Sequence, residues 1–189
     1  MIRNILKYIL LFPLISFIMS CATVTDIIPK IEKLDNLSIL VSGKIDYNGN
    51  KDYFPRTVGD DASGNPLLII KYQYNVSYGR ENIPDALHVA NLFNPLIIVG
   101  FPIGQDTLVV IGKIDVIKQT EVVKTYSSAC TFEKTRNIFY QGPTYTELRK
   151  LGLLNIRDNI EAQMFKDREF LSKLNRDDLI ENKAIGGVK

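Results

Sequence analysis

Apolar and polar residues alternate along several stretches of the chain, and this period of two is typical of half-buried β-strands. The pattern predicts strands at Leu37–Asp46, Leu67–Tyr78, Thr107–Gln119 and from Glu121 to about Phe132. The residues expected on the inner face of the second and third of these are Leu68, Ile70, Tyr72, Tyr74, Val76 and Tyr78, and then Leu108, Val110, Ile114 and Val116.

The connections between these strands favour a mainly antiparallel sheet. The short link Lys118–Glu121 predicts a hairpin between the third and fourth strands. Asp46–Pro66 is rich in Asn, Gly, Asp and Pro, which predicts a long surface loop. Gly112, inside the third strand, indicates a bulge or a close approach of another segment to the backbone.

The period changes towards the C-terminus. Thr144 and Glu147 have the spacing of a helix-capping box. The apolar residues that follow recur at helical spacing and predict an amphipathic helix: Leu153, Ile156, Ile160 and Met164, with a weak continuation through Phe170, Leu171 and Leu174. We expect an α+β fold, a mainly antiparallel sheet of about four strands with this helix packed on it, forming one domain over 36–175 before a flexible charged tail, 176–189.

The N-terminus has the pattern of an export signal. Arg3 and Lys7 precede an apolar run, Tyr8–Met19, that is too short to span a bilayer as a helix. The four residues Ile18-Met19-Ser20-Cys21 resemble the lipobox of bacterial lipoproteins.

That resemblance implies cleavage after residue 20, acylation of Cys21 with fatty chains such as palmitate, and a short tether over 21–35. The resemblance implies a diacylglycerol on the thiol and a third chain on the freed amine. Because stable anchoring takes at least two lipid chains, these three hold a protein on a membrane without a transmembrane helix. Ala22 stands where an aspartate would favour retention at the inner membrane in related systems. We therefore expect an outer-membrane anchor with the domain facing the periplasm.

The charge balance argues against nucleic acid as a partner. Of 23 basic side chains, Arg3 and Lys7 lie in the export segment, which has no carboxylate. The remaining basic side chains equal the 21 acidic ones, so the mature chain has no basic excess to attract phosphates.

Candidate catalytic and metal-binding residues are sparse. Cys130 is the only thiol left once Cys21 is acylated, so it is expected to be buried, with an intermolecular disulfide as the alternative. His88 is the only histidine, and a nucleophile–base pair with Cys130 rests on nothing beyond their presence. The paired carboxylates Asp60-Asp61 and Asp177-Asp178 are expected to be solvated. We predict no catalytic residues, metal site or cofactor.

Two segments are candidate interaction surfaces. Leu92–Ile103 contains no charge but two prolines and a glycine. It is expected to form a buried strand or, alternatively, an exposed loop that docks on lipid or another envelope protein through Phe93, Ile97, Val99 and Phe101. The tyrosine stripe Tyr72, Tyr74 and Tyr78 suits glycan or peptide contact, but a strand packed on the helix would show the same stripe, and we favour a position in the core or at its edge.

These patterns favour a non-enzymatic, periplasm-facing lipoprotein that acts as an accessory or binding subunit of the cell envelope. An envelope hydrolase acting on cell-wall or lipid material is the alternative, and it would need the acidic pair Asp60-Asp61 or the Cys130–His88 pair to assemble a pocket. A purely structural lipoprotein is a third hypothesis. The oligomeric state is left open.

Overall fold

The computed structural model describes residues 37–61, 67–81, 104–136 and 142–175. In chain order they form β1 (Val41–Asp46), a single 3-10 turn (Lys51–Tyr53), β2 (Val58–Asp60), β3 (Leu68–Glu81), β4 (Gly104–Lys118), β5 (Glu121–Arg136) and the helix α1 (Tyr145–Lys166). After a turn at Asp167 the chain is helical again over 168–175, here called α2. The α+β class is confirmed.

The five strands form one sheet in the order β2-β1-β3-β4-β5. β1 is parallel to both of its neighbours, with Val41 opposite Val58 of β2 and Lys44 opposite Ile69 of β3. The predicted mainly antiparallel, four-stranded sheet is therefore wrong in two respects: the sheet is mixed, and it has a fifth strand. Alternation tells which face of a strand is buried, but it carries no information on the direction of the neighbouring strand.

The remaining neighbours have the antiparallel arrangement that the sequence predicts. Only Gln119 and Thr120 separate β4 from β5, and Gln119 adopts a left-handed conformation with φ of 58°. The backbone N–H of Gln119 donates to the carbonyl of Leu67 at 3.0 Å, so the end of β4 lies beside the start of β3. The hairpin prediction is confirmed.

The fifth strand, β2, lies inside the segment that the sequence assigned to a surface loop. Val58 and Gly59 are buried there, and Thr57, just before them, is fully buried. The Thr57 hydroxyl donates to the sulfur of Met164 on α1 at 3.4 Å. A strand of three residues is too short to show an alternation, which is why the loop-forming residues around it dominated the prediction.

The chain divides into two compact units. Of the described residues, the first unit contains 37–61, 67–76, 110–130 and 149–175, and the second contains 77–81, 104–109, 131–136 and 142–148. The core of the first unit contains side chains from β3, β4, β5 and both helices: Leu68, Ile70, Tyr72, Val110, Ile114, Val116, Tyr126, Cys130, Leu153, Ile156, Ile160, Met164, Leu171 and Leu174. The second unit buries Leu108, Phe132 and Leu148.

The helix start follows the predicted capping box. The Thr144 hydroxyl accepts from the N–H of Glu147 at 3.2 Å, and the Glu147 carboxylate accepts from the N–H of Thr144 at 2.7 Å. These bonds satisfy two backbone donors at the helix terminus. The predicted apolar positions of α1 are buried, and so are Leu171 and Leu174 of the predicted continuation.

Within the described ranges, no helix is long and apolar enough to cross a membrane. The export signal, Cys21, the segment 92–103 and the tail 176–189 lie outside these ranges, so the predictions made for them stay predictions.

Candidate functional site: a tyrosine-lined groove

The first unit has an open groove of about 560 Å³ on its surface. Its lining comes from the segment after β1, from β3 and from β4: Tyr47, Asn48, Gly49, Tyr72, Gln73, Tyr74, Asn75, Ile111, Gly112 and Lys113. A volume of this size is in the range of small-ligand sites. We call it the tyrosine groove.

An aromatic cluster adjoins this site: Tyr47, Tyr72 and Tyr74 line the groove, and Phe54 packs against two of them. Tyr47 lies against Phe54 in a stacked arrangement with ring centroids 5.3 Å apart. The Tyr47 ring is also 5.2 Å from that of Tyr72 and 6.5 Å from that of Tyr74. Phe54 meets Tyr72 edge to face at 5.8 Å. Offset and edge-to-face pairs at these distances are favourable, so the rings stabilise one another's positions.

Local turn chemistry places Tyr47 and Phe54 on this cluster. The side chain of Asn50 accepts from the N–H of Asp52 at 2.9 Å and so caps the 3-10 turn. The Tyr47 hydroxyl donates to the carbonyl of Asn50 at 3.0 Å. The chain after β1 therefore turns back, and the two aromatic residues on either side of the turn face each other.

An ionic network ties this turn segment to α1. The Arg56 guanidinium donates to Glu161 at 2.7 Å, and the backbone N–H of Arg56 donates to the same carboxylate at 2.6 Å. Arg157 donates to the carbonyl of Asp52 at 2.6 Å and pairs with Asp158 at 2.7 Å. The hydrogen bond to Glu161, which is 1% exposed, raises the pKa of Arg56. The network holds the aromatic turn against the helix.

The Tyr47 and Tyr72 phenols of the groove are neutral hydrogen-bonding groups. Burial raises the pKa of Tyr47 to about 12, with Tyr74 and Tyr53 adding to the effect, and burial also raises the pKa of Tyr72. The Tyr72 hydroxyl is buried and, among the described residues, has no hydrogen-bond partner. Asn48, Gln73 and Asn75 are exposed, while Lys113 pairs with Asp115 at 2.8 Å. The groove thus combines aromatic rings with amides and one paired cation.

The three tyrosines of the predicted stripe differ in exposure. Tyr72 is 3% exposed and belongs to the core, and Tyr74 is half-buried in the groove. Tyr78 is 53% exposed and belongs to the second unit, where its ring meets that of Tyr145 edge to face at 5.1 Å. Tyr47, which the sequence analysis missed, contributes more to the groove than Tyr78. The sequence pattern that could have identified Tyr47 is an aromatic residue directly after a strand and before an Asn-Gly turn.

The structure also places part of the candidate catalytic groups. Cys130 is fully buried, and burial raises its pKa to about 11. Such a thiol is protonated at neutral pH, and the thiolate is the reactive form. Asp60, at the end of β2, is exposed. His88, Asp177 and Asp178 lie outside the described residues.

The described residues also bear on metal binding. Within 37–61, 67–81, 104–136 and 142–175, no three His, Cys, Asp or Glu side chains are grouped closely enough to hold a metal ion.

Comparison with known proteins does not assign this chain to a family. The sequence matches no protein-family model and no curated protein.

Proposed function

We propose that this protein is a lipid-anchored, periplasm-facing envelope lipoprotein that acts by binding rather than by catalysis, and that the tyrosine groove is its binding site. The observation that carries the binding role is the groove itself, a concave surface with aromatic rings and amides. The lipobox-like segment at Cys21 supports the location.

The chemistry of the groove favours a carbohydrate ligand. A sugar ring has apolar C–H faces that pack on aromatic rings and hydroxyls that pair with amides and phenols. The half-buried rings of Tyr47 and Tyr74 offer the first contact, and their hydroxyls, with the amide of Asn48 beside them, offer the second. Because the Tyr47 phenol is neutral and Lys113 is paired with Asp115, the ligand needs no charge. A segment of envelope glycan meets these requirements.

The anchor is tested by mass spectrometry of the protein isolated from its native membranes. We expect an N-terminus at Cys21 that carries added acyl mass, and loss of membrane association in Cys21→Ser. An unmodified N-terminus elsewhere in the chain would contradict the location.

The binding site is tested with N-acetylglucosamine oligosaccharides and isothermal titration calorimetry. Tyr74→Ala should weaken binding about fivefold, because a ring contact of this kind is worth roughly 1 kcal/mol. Tyr78→Ala is the matched control, since it removes an exposed tyrosine of the second unit and should leave affinity unchanged. Unfolding curves of both variants check that the fold is retained.

A negative result is equally informative. If the wild-type protein binds none of these oligosaccharides, or if both variants lose affinity equally, the groove is not a glycan site. A crosslinked pull-down from solubilised membranes tests the accessory-subunit role separately, and recovery of the monomer alone under several detergents would count against it.

A further inference from the structure

The described chain enters the first unit beside the end of α2. The backbone N–H of Ser42 donates to the side-chain carbonyl of Asn175 at 3.0 Å, and the Asn175 amide donates to the carbonyl of Leu40 at 3.4 Å. Cys21 lies sixteen positions before Leu37, the first described residue. A lipid on Cys21 would therefore hold the first unit near the membrane, within the reach of these sixteen positions.

The surface of α2 and of the turn before it combines an exposed aromatic ring with basic side chains. Phe170 on α2 is 43% exposed, although Leu171 and Leu174 of the same helix are buried in the core. The ammonium group of Lys124 lies 5.9 Å from the centre of the Phe170 ring. Ile39, one residue before the contact with Asn175, is 61% exposed.

The charge of this surface is positive. The segment around the turn between α1 and α2 lines a shallow depression of about 620 Å³ that includes Lys166, Arg168, Phe170 and Lys173. This surface has two carboxylates, those of Asp167 and Glu169, and four cationic side chains, those of Lys124, Lys166, Arg168 and Lys173. Asp167 is already bound by Lys124 at 2.6 Å, and this hydrogen bond lowers its pKa.

We propose that this surface, the α2 face, docks on the anionic lipid surface of the membrane that holds the anchor. Basic side chains are attracted to anionic headgroups, and an aromatic ring between them can enter the headgroup region. Docking would fix which side of the first unit faces the membrane. The inference rests on the proposed lipid anchor for the position of the membrane.

The absence of tryptophan from the sequence gives a direct test. Phe170→Trp puts a single tryptophan, excited selectively over the tyrosines, on the α2 face of the full acylated chain. Leu151→Trp is the matched control, because Leu151 is 45% exposed on α1. Both are reconstituted in vesicles of brominated phosphatidylcholine with and without phosphatidylglycerol, and quenching by the bromine atoms reports contact with lipid.

We expect several-fold stronger quenching at position 170 than at position 151 in the anionic vesicles. The difference should shrink at high salt, because salt screens the attraction between surface charges. The charge reversals Arg168→Glu and Lys173→Glu, made together in the Phe170→Trp chain, should reduce the quenching at position 170. Equal quenching at both positions, or none at position 170, would overturn the proposal.

Two further measurements separate the alternatives. If acrylamide fails to quench Trp at position 170 without vesicles, another part of this chain covers the α2 face, and the proposal is overturned. Flotation with vesicles that lack phosphatidylglycerol reports the anchor alone. If the chain floats but position 170 is not quenched, the proposed anchor stands and only the docking of the α2 face is contradicted. A chain that does not float contradicts the proposed function.

Discussion

Gly112 on β4 and Ile156 on α1 are in such close contact that a β-carbon at position 112 would overlap Cγ2 of the isoleucine. The sequence analysis predicted a bulge or a close approach at Gly112, and the structure identifies the approach as that of the helix. The Tyr72 hydroxyl would lie 3.4 Å from the same β-carbon, so this contact also adjoins the tyrosine groove. The position of α1 on the sheet therefore depends on the absence of a side chain at residue 112.

Gly112→Ala should destabilise the protein by about 1–3 kcal/mol, because α1 must shift to admit the methyl group. Ile156→Ala removes the opposing atoms and costs about 2–5 kcal/mol by leaving a cavity. In the double variant the alanine methyl enters the vacated space, so we expect a loss well below the sum of the two single losses. Chemical denaturation of the three variants measures this coupling.

Gly79→Ala is the control for the Gly112 prediction, since its nearest neighbours would lie at an ordinary 3.6 Å. It should change stability by less than Gly112→Ala. Strictly additive losses in the Gly112 and Ile156 pair would contradict the close-contact explanation.

Glu161→Ala should cost about 1–3 kcal/mol, because Glu161 is buried and accepts hydrogen bonds from both the backbone and the half-exposed guanidinium of Arg56. Glu161→Gln keeps an oxygen that can accept from the backbone N–H, and it should lose less. Urea denaturation measures both. Glu169→Ala, at an exposed position of α2, is the control and should stay within about 0.5 kcal/mol of the wild type.

The same substitution should affect the groove, because Arg56 follows the turn that carries Phe54. We expect Glu161→Ala to weaken the binding of any ligand in the tyrosine groove, although residue 161 does not line the groove. Unchanged affinity in a folded variant would show that the ionic network does not position the aromatic turn.

Cys130 should make the protein less stable at alkaline pH. Burial raises the pKa of its thiol from 9.0 to about 11 in the folded protein. The buried thiol contributes its full stabilisation below the pKa of the unfolded chain. As the pH rises further, the unfolded thiol ionises first, and stability is lost until the folded pKa is reached.

The expected loss from this thiol is roughly 2 kcal/mol between about pH 8 and pH 11, since one pKa unit corresponds to about 1.4 kcal/mol. Free energies of unfolding for the wild type and Cys130→Ala, compared over that range, isolate the thiol from the titrating tyrosines. Parallel curves for the two proteins would contradict the prediction.

Thr144→Ala should destabilise the helix start by about 1 kcal/mol, because the N–H of Glu147 loses its side-chain acceptor. Thr144→Ser keeps the hydroxyl and should be close to the wild type. Thermal unfolding followed by circular dichroism tests both variants, and equal losses would show that the methyl group rather than the cap matters.

The cap also predicts a pH effect of opposite sign to that of Cys130. The hydrogen bond from the N–H of Thr144 lowers the pKa of Glu147. Its contribution is therefore present at neutral pH and is lost as the pH falls through this lowered pKa. Glu147→Gln should reduce that acid dependence.

Local sequence determined the elements of this protein. Side chains alternate on a strand and recur at helical spacing on a helix, so the buried faces of β3, β4 and α1 could be assigned from single residues such as Ile70, Ile114 and Ile160. Turn and cap chemistry is equally local, and it located the β4–β5 hairpin and the start of α1 at Thr144. The export signal and the lipidation of Cys21 are also sequence predictions, and they await their own test.

Tertiary structure decided which elements meet. The parallel pairing of β1 with β2 and β3, the ion pair between Arg56 and the buried Glu161, and the approach of Ile156 to Gly112 join residues far apart in the chain. No local period encodes such contacts. The tyrosine groove depends on them as well, because Tyr47 becomes part of it only when the turn after β1 folds back on β3 and is held there by α1.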